Sequence, residues 1–166
     1  SRAMIKQYRV YRNRQVVGAA LVNWLFNAAL AWLAFRQLPQ VPLFGASSIV
    51  GDTLGTAVLL PLFVTLAATP TFRSLLARRV VLLPQPGVRR LPLPQQPLLL
   101  GLALGLLAAL TLAPLALGLL AWLEVRSMAF GSFLLFKAGF AALLAALITP
   151  LVLQRAAAWH LVNRRF

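Results

Sequence analysis

Long stretches with almost no charge constrain the fold of this chain most. Each of four stretches contains at most one charged side chain: residues 15–35, 41–68, 91–123 and 128–154. Because a helix of ~20 residues crosses the ~30 Å hydrocarbon core of a bilayer, each stretch is long enough for one membrane span. We therefore predict spans at residues 16–36, 45–69, 98–122 and 128–152.

The composition argues against a water-soluble globular protein. Hydrophobic residues make up 61% of the sequence and charged residues 11%, whereas a soluble domain has about 25% charged residues. Inside a bilayer every backbone polar group needs a partner within the protein, and a helix supplies one within its own segment. The predicted fold class is therefore an all-α integral membrane protein, a four-transmembrane-helix bundle.

The distribution of Lys and Arg predicts the orientation of this bundle. Thirteen of the 16 basic residues lie in the N-terminal segment 1–15, the connection 70–97 and the tail 153–166. Since basic residues concentrate in cytoplasmic segments, we expect these three regions to be cytoplasmic and 16–152 to be the membrane domain. The same rule accounts for the net charge of +14, so we expect lipid and no nucleic acid as the partner.

The N-terminal region and the cellular location carry further expectations. Residues 1–3, before Met4, are interpreted as a cloning scar. One alternative for the first span is a cleaved signal peptide, with a weak cleavage-like site at residues 29–31. The apolar run is long for a signal peptide, which favours a span. Frequent Arg, Leu, Ala and Pro favour a GC-rich genome and a bacterial-type inner membrane.

The two halves of the chain share short motifs. AWLAF at 31–35 precedes a Phe-Gly pair at 44–45, and AWLEV at 121–125 precedes another at 130–131. Each Phe-Gly pair is followed by a long apolar stretch that ends in Thr-Pro. Two halves that cross the membrane in the same order would form parallel two-helix repeats.

Asp52 and Lys137 are the charged residues inside the four apolar stretches. Counted along a helix from the Phe-Gly pairs, both lie ~11–12 Å below the outer boundary, close to the bilayer midplane. A charge at that depth costs at least ~2.5–3.5 kcal/mol, so we expect the two side chains to face the bundle interior and each other. Asn27, Asn23 and Thr56 lie at similar depth or one turn away. We predict that they complete a polar site, in which Asn27 and Asn23 supply hydrogen bonds to the pair.

Two interpretations of this pair stay open. In the first, Asp52 and Lys137 form a structural ion pair that fixes the register between the second and fourth spans, and apolar residues could replace both. In the second, they lie in a hydrated cavity and hold an ion, a proton, a small solute or a lipid headgroup. Ionisable residues inside a membrane are often functional, which supports the second interpretation.

Small residues at helical spacing predict close packing between helices. They are Ser47, Gly51 and Gly55 in the second span, Gly101, Gly105, Ala109 and Ala113 in the third, and Ala138, Ala142 and Ala146 in the fourth. Pro61 and Pro114 each remove a backbone hydrogen bond, which predicts a bend in the second and third spans.

Arginines alternate with leucine and valine in the 70–97 connection. Such a segment is suited to the headgroup level of an anionic bilayer. The candidate contacts with anionic lipid are Arg73, Arg78, Arg79, Arg89 and Arg90. The alternative, which the pattern favours, is a basic flank that only sets the topology.

The side-chain inventory leaves two main classes of function. The sequence has no Cys, one His and two acidic residues, so we expect no metal site and no cofactor, and enzymatic activity is the least favoured class. The favoured class is the handling or translocation of an ion, proton, solute or lipid headgroup by a homo-oligomer or larger membrane complex. The alternative is a non-transporting scaffold, assembly factor or accessory subunit with a structural Asp–Lys pair.

Overall fold

The computed structural model describes residues 2–83 and 92–163. Their secondary structure is dominated by helices, with two short strands. In chain order the elements are α1 (Arg2–Phe35), β1 (Gln40–Pro42), α2 (Ile49–Ala77), α3 (Pro97–Leu110), α4 (Leu112–Trp122), β2 (Ser127–Ala129) and α5 (Phe130–Asn163).

Four helical stretches are long and apolar enough to cross a membrane. They are α1, α2, the nearly continuous pair α3 and α4, and α5. A break of one residue at Thr111 separates α3 from α4, and Pro114 lies in the first turn of α4, where its missing N–H has no intrahelical partner to lose. The prediction of a mostly helical chain with four candidate spans is therefore confirmed.

Three of the helices are longer than the predicted spans. α1 and α5 each contain 34 residues, which corresponds to about 51 Å at 1.5 Å per residue. α1 includes the basic segment 2–15, and α2 and α5 continue through Pro70 and Pro150. The Thr-Pro motifs therefore do not end these helices, because a proline removes only one hydrogen bond from a helix that neighbouring helices hold by packing.

The bundle is organised around α2 and α5. α1 packs along α5, α5 packs against α2, and α2 packs against α3, which gives the spatial order α1–α5–α2–α3. The main core lies between α2, α3 and α5, where Leu60, Leu104 and Leu144 are buried together. If α1 is matched with α3, and α2 with α5, the contact between α1 and α5 corresponds to the contact between α3 and α2. The contact between α2 and α5 then corresponds to itself. The pattern of contacts is thus twofold, although the sequences of the halves differ.

An antiparallel ribbon of β1 and β2 closes one end of the bundle. The strands pair with Val41 opposite Met128, and the Leu43 N–H donates to the Arg126 carbonyl at 2.8 Å. Below the ribbon, Phe35 and Phe133 are buried with their ring centroids 4.7 Å apart. Each strand has three residues, which is too short for the sequence to reveal by alternation. We call this end of the bundle the ribbon end.

The opposite end, which we call the basic end, has a core of its own. Phe72 of α2 is fully buried against Leu153 and Ala156 of α5. Tyr11 of α1 stacks on Phe72 with a centroid distance of 5.3 Å, and Tyr8 packs beside it at 6.4 Å. The basic N-terminal segment is therefore a helical part of the bundle.

α2 and α3 approach each other closely because α3 presents glycines at the contact. A Cβ atom at Gly105 would lie 2.5 Å from the Val58 carbonyl oxygen, and one at Gly101 would lie 2.9 Å from the Leu62 Cα atom. Both separations are shorter than a van der Waals contact. The glycines of α3 therefore pack on the backbone of α2, at Val58 and Leu62, and not on the small residues of α2.

Substitution of Gly105 by Ala should destabilise the bundle. The new methyl group overlaps the backbone of α2, which cannot rotate away as a side chain can, and we expect a loss of about 1–3 kcal/mol. The measurement is thermal unfolding in detergent, followed by circular dichroism. Gly118→Ala in α4 is the matched control, because a Cβ atom there meets nothing within 4 Å. Equal stability of the two variants would contradict the close contact.

Candidate functional site

Asp52 and Lys137 form an ion pair between α2 and α5. The Lys137 Nζ atom lies 2.6 Å from Asp52 Oδ1 and donates a second hydrogen bond to Thr56 Oγ1 at 3.2 Å. The exposed fraction is 6% for the Lys137 side chain and 15% for the Asp52 side chain. The structure therefore brings together three residues that the sequence selected, with the Lys137 side chain more deeply buried than the Asp52 side chain.

The local sequence places the carboxylate in the first turn of α2. Ser48 caps this helix with an extended backbone, and its hydroxyl accepts from the Gly51 N–H at 3.2 Å. Asp52 follows in the first turn. The positive end of the helix dipole and the nearby N–H groups favour a negative charge there.

Lys137 reaches Asp52 because of its position on α5. It is the eighth residue of this helix, whose first residue, Phe130, lies at the ribbon end. Side chains on a helix tilt towards its N-terminus, so Lys137 extends towards the ribbon end, where α2 begins. The long side chain of Lys137 therefore spans the difference in level between the two helices.

Asp52 lies closer to the start of its helix than the sequence predicted. The predicted distance assumed that the helix begins near Phe44, whereas α2 begins at Ile49. Asp52 is three residues from the start of the helix, or about 4.5 Å along its axis. Because residues 43–48 form an irregular connection, the ion pair lies in the half of the bundle next to the ribbon end and not at its middle.

A cavity of about 690 Å³ lies between α1 and α2, and the ion pair forms part of its wall. The apolar part of its wall includes Phe26 and Leu30 of α1 and Leu59 and Phe63 of α2. Its polar residues are Asn23, Asn27, Ser47, Ser48, Asp52, Thr56 and Lys137. The cavity, which we call the α1–α2 cleft, therefore combines a mostly apolar wall with a polar edge.

The side chains of Asn23 and Asn27 line the α1–α2 cleft but do not bond to the ion pair. Asn23 Nδ2 donates to the Ala19 carbonyl at 2.8 Å, and Asn27 Nδ2 donates to the Asn23 carbonyl at 2.9 Å. Each amide thus bonds to the preceding turn of its own helix. The expectation that these residues supply hydrogen bonds to Asp52 and Lys137 is corrected accordingly, whereas Thr56 does bond to Lys137.

Ser47, just before α2, and Gly51 and Gly55 within it line the cleft. A Cβ atom at Gly55 would meet nothing within 4 Å, and one at Gly51 would approach only the hydroxyl of Ser48, at 3.4 Å. Within the described chain no helix packs on Gly51 or Gly55, because their side of α2 faces open space, and the packing role of these residues stays a prediction.

The arginines at the basic end differ in their surroundings. Arg78 and Arg79 are exposed, and the predicted lipid contacts Arg89 and Arg90 lie outside the described residues. The guanidinium group of Arg73 lies 4.0 Å from the ring centroid of Trp159 and donates to the Gln95 carbonyl at 3.3 Å.

Arg155 is a structural residue that the sequence did not single out. Its side chain is 7% exposed, and its guanidinium group donates to the carbonyls of Leu93 and Pro94. These bonds attach residues 93–94 to α5. No spacing or motif in the sequence distinguishes this arginine from the other basic residues, so only its position in the fold identifies it.

Comparison with known proteins gives no relative for this chain. No family model matches it, and neither the curated proteins nor the solved structures include a match. In the described part of the chain, no three His, Asp or Glu residues come close enough to hold a metal ion. The α1–α2 cleft and its ion pair are the features from which a function can be argued.

Removing one partner of the ion pair should cost more stability than removing both. Asp52→Asn alone leaves the Lys137 ammonium buried without its counter-charge, and we expect a loss of roughly 2–4 kcal/mol, below the ~3–5 kcal/mol of fully buried pairs because Asp52 is partly exposed. The double variant Asp52→Asn/Lys137→Met should recover part of this loss. Thermal unfolding of both single variants and the double variant measures the coupling.

The double variant also tests whether the contributions of the two charges to stability are coupled. Recovery in the double variant means that each charge needs the other. A double variant that loses as much stability as the sum of the two single variants would contradict a coupled pair, because independent sites have additive effects.

Proposed function

We propose that this chain is a multi-pass membrane protein that takes a lipid-like amphiphile from the bilayer into the α1–α2 cleft. The polar end of the amphiphile lies at the polar edge of the cleft, near Asp52 and Lys137, and its chain lies against the apolar wall. The observation that carries this proposal is the cleft itself, which places a buried ion pair beside an apolar wall between two candidate membrane spans.

The arrangement of the helices supports entry from the side. α1 packs on α5, and α2 packs on α5 and α3, so the cleft separates α1 from α2. With these helices across a membrane, the gap between α1 and α2 faces the lipid. Large side chains along this part of α1, such as Leu25 and Leu33, are each 63% exposed and suit contact with lipid chains.

The dimensions of the cleft suit an amphiphile. On α1 its wall extends from Asn23 to Phe35, which corresponds to about 18 Å of helix. Its volume lies in the range of ~300–1,000 Å³ that is usual for small-molecule sites. The cleft is therefore large enough for a headgroup and part of a chain.

The distribution of polar residues supports an amphiphile more than an ion or a proton. On the α2 side of the cleft, the wall continues beyond Thr56 with Leu59, Leu60 and Phe63, which are apolar. An ion or proton that crosses the membrane needs polar groups or water along its whole route. The polar residues of the cleft all lie in the half of the bundle next to the ribbon end, as expected for a site that holds one polar group.

The orientation in the membrane is part of the proposal. The ends of α1, α2 and α5 that carry most of the basic residues lie together at the basic end. We place this end in the cytoplasm of a bacterial-type cell, with both termini inside and the ribbon end outside. The cleft then opens in the outer half of an inner membrane. The twofold pattern of helix contacts supports two parallel two-helix repeats as the origin of the bundle.

A second candidate function is that of an accessory subunit or scaffold. Ser47, Gly51 and Gly55 form an edge of small residues that no described helix covers, and such edges accept a neighbouring helix closely. In this case the cleft would hold a helix of another membrane protein or of a second copy, and the ion pair would be structural.

Filling the cleft tests the proposal. Gly55→Leu adds a side chain that points into open space within the cleft, so the fold should tolerate it while the bound amphiphile loses its place. We expect lipid bound to the purified protein, counted by native mass spectrometry, to fall about tenfold, which corresponds to about 1.4 kcal/mol. Gly118→Leu in α4 is the matched control, since its surroundings are also open but lie outside the cleft.

The result distinguishes the two candidate functions. Loss of lipid in Gly55→Leu and retention in Gly118→Leu support amphiphile binding. Equal amounts of lipid in all three proteins would contradict it. A second protein that co-purifies with the wild type and is lost in Gly55→Leu would instead support the accessory subunit.

A further inference from the structure

The positive charge that lines the cleft is already used within the protein. Lys137 is the basic residue of the described cleft wall, and its ammonium group donates to Asp52 and to Thr56. Only 6% of its side chain is exposed, so the ammonium group presents little surface to a ligand. An anionic headgroup would have to compete with Asp52 for it.

The carboxylate of Asp52 keeps one oxygen for a ligand. Oδ1 accepts from Lys137, whereas Oδ2 has no hydrogen-bond partner among the described residues. The Asp52 side chain is also the more exposed of the two. A carboxylate has no proton to donate and accepts at both oxygens, so Asp52 offers the cleft a charged acceptor.

The amides of Asn23 and Asn27 add two further acceptors. A backbone carbonyl can bond only to the nitrogen of an amide side chain, so the bonds to the carbonyls of residues 19 and 23 fix the orientation of both amides. Their Oδ1 atoms have no partner among the described residues. Asn27 lines the cleft and the whole residue is 5% exposed, and its amide oxygen has no partner within the described residues and can accept a bond from a ligand in the cleft.

The remaining donors are neutral. Each amide retains one N–H, and the hydroxyls of Ser47 and Ser48 can donate or accept. Hydrogen bonds to a charged group are about twice as strong as those between neutral groups, so the free oxygen of Asp52 dominates the selection. The chemistry of the cleft therefore favours a ligand that donates.

Resting on the amphiphile binding proposed above, we infer that the α1–α2 cleft selects a headgroup that donates hydrogen bonds, an ammonium or a hydroxyl-rich group, over an anion that can only accept. The donor binds Asp52 Oδ2 first and the amide oxygens of Asn27 and Asn23 along the same edge. Lys137 acts as a positioning residue that holds the carboxylate in place.

Three amphiphiles with the same chain provide the test. Decylamine carries an ammonium group at pH 7, decyl glucoside carries hydroxyls, and decyl sulfate only accepts, while the apolar contribution is the same. Each is titrated into wild-type protein in nanodiscs, and displacement of bound lipid is measured by native mass spectrometry. The displacement measured with the Gly55→Leu variant is subtracted from that of the wild type. This subtraction corrects for the general attraction of anions to a chain with a net charge of +14.

We expect decylamine and decyl glucoside to displace lipid at concentrations at least tenfold lower than decyl sulfate. In the double variant Asp52→Asn/Lys137→Met, which removes both charges, the concentration of decylamine needed to displace lipid should rise about tenfold relative to that of decyl glucoside. Asn27→Leu should weaken both donors and leave decyl sulfate unchanged. Gly118→Leu, outside the cleft, should behave as the wild type.

The outcomes separate the two proposals. Decyl sulfate that matches or exceeds both donors would overturn the donor inference and leave amphiphile binding intact. If none of the three displaces lipid in a way that Gly55→Leu abolishes, amphiphile binding itself fails, and the inference fails with it. An advantage of decylamine that the double variant keeps in full would show that Asp52 is not the charged acceptor, and would also overturn the inference.

Discussion

The contact between Lys137, Asp52 and Thr56 is the interaction on which the site depends. It joins α2 to α5, the two central helices of the bundle, and α1 is held mainly through α5. Taking either charge out of water is costly unless the other is present. The ion pair therefore fixes the register between α2 and α5 at the polar edge of the cleft. The position of α1 depends on α5, because α1 packs along that helix.

The α1–α2 cleft exists because close packing occurs elsewhere. α3 brings its glycines onto Val58 and Leu62 of α2, and α1 lies along α5. On the remaining side of α2, Gly51 and Gly55 have no side chain to fill the gap, and no described helix packs on them. Small residues thus have opposite effects on two helices of this bundle: those of α3 make a contact, and those of α2 leave a space.

Sequence reasoning identified the four candidate spans and the ion pair for the same physical reason. Charges are so costly in an apolar run that Asp52 and Lys137 stand out, and opposite signs at similar depth indicate a pair. The exact start of α2 depends on a serine cap and an irregular connection, which hydropathy does not register. The direction of the Asn23 and Asn27 amides depends on hydrogen bonds to the backbone of their own helix, which the spacing of residues does not predict. The open side of α2 depends on where α1 lies, which the spacing does not predict either.

The position of Asp52 near the start of α2 also has a consequence for biosynthesis. Asp52 and Lys137 are 85 residues apart. At ~5–20 residues per second, a ribosome adds Lys137 about 4–17 s after Asp52. For that time the carboxylate of the nascent chain is without its partner. With the four candidate spans placed in a bilayer, as proposed above, its position in the first turn of α2 keeps it close to the headgroups and water until α5 is made. A carboxylate in the middle of α2 would have had to enter the hydrocarbon alone.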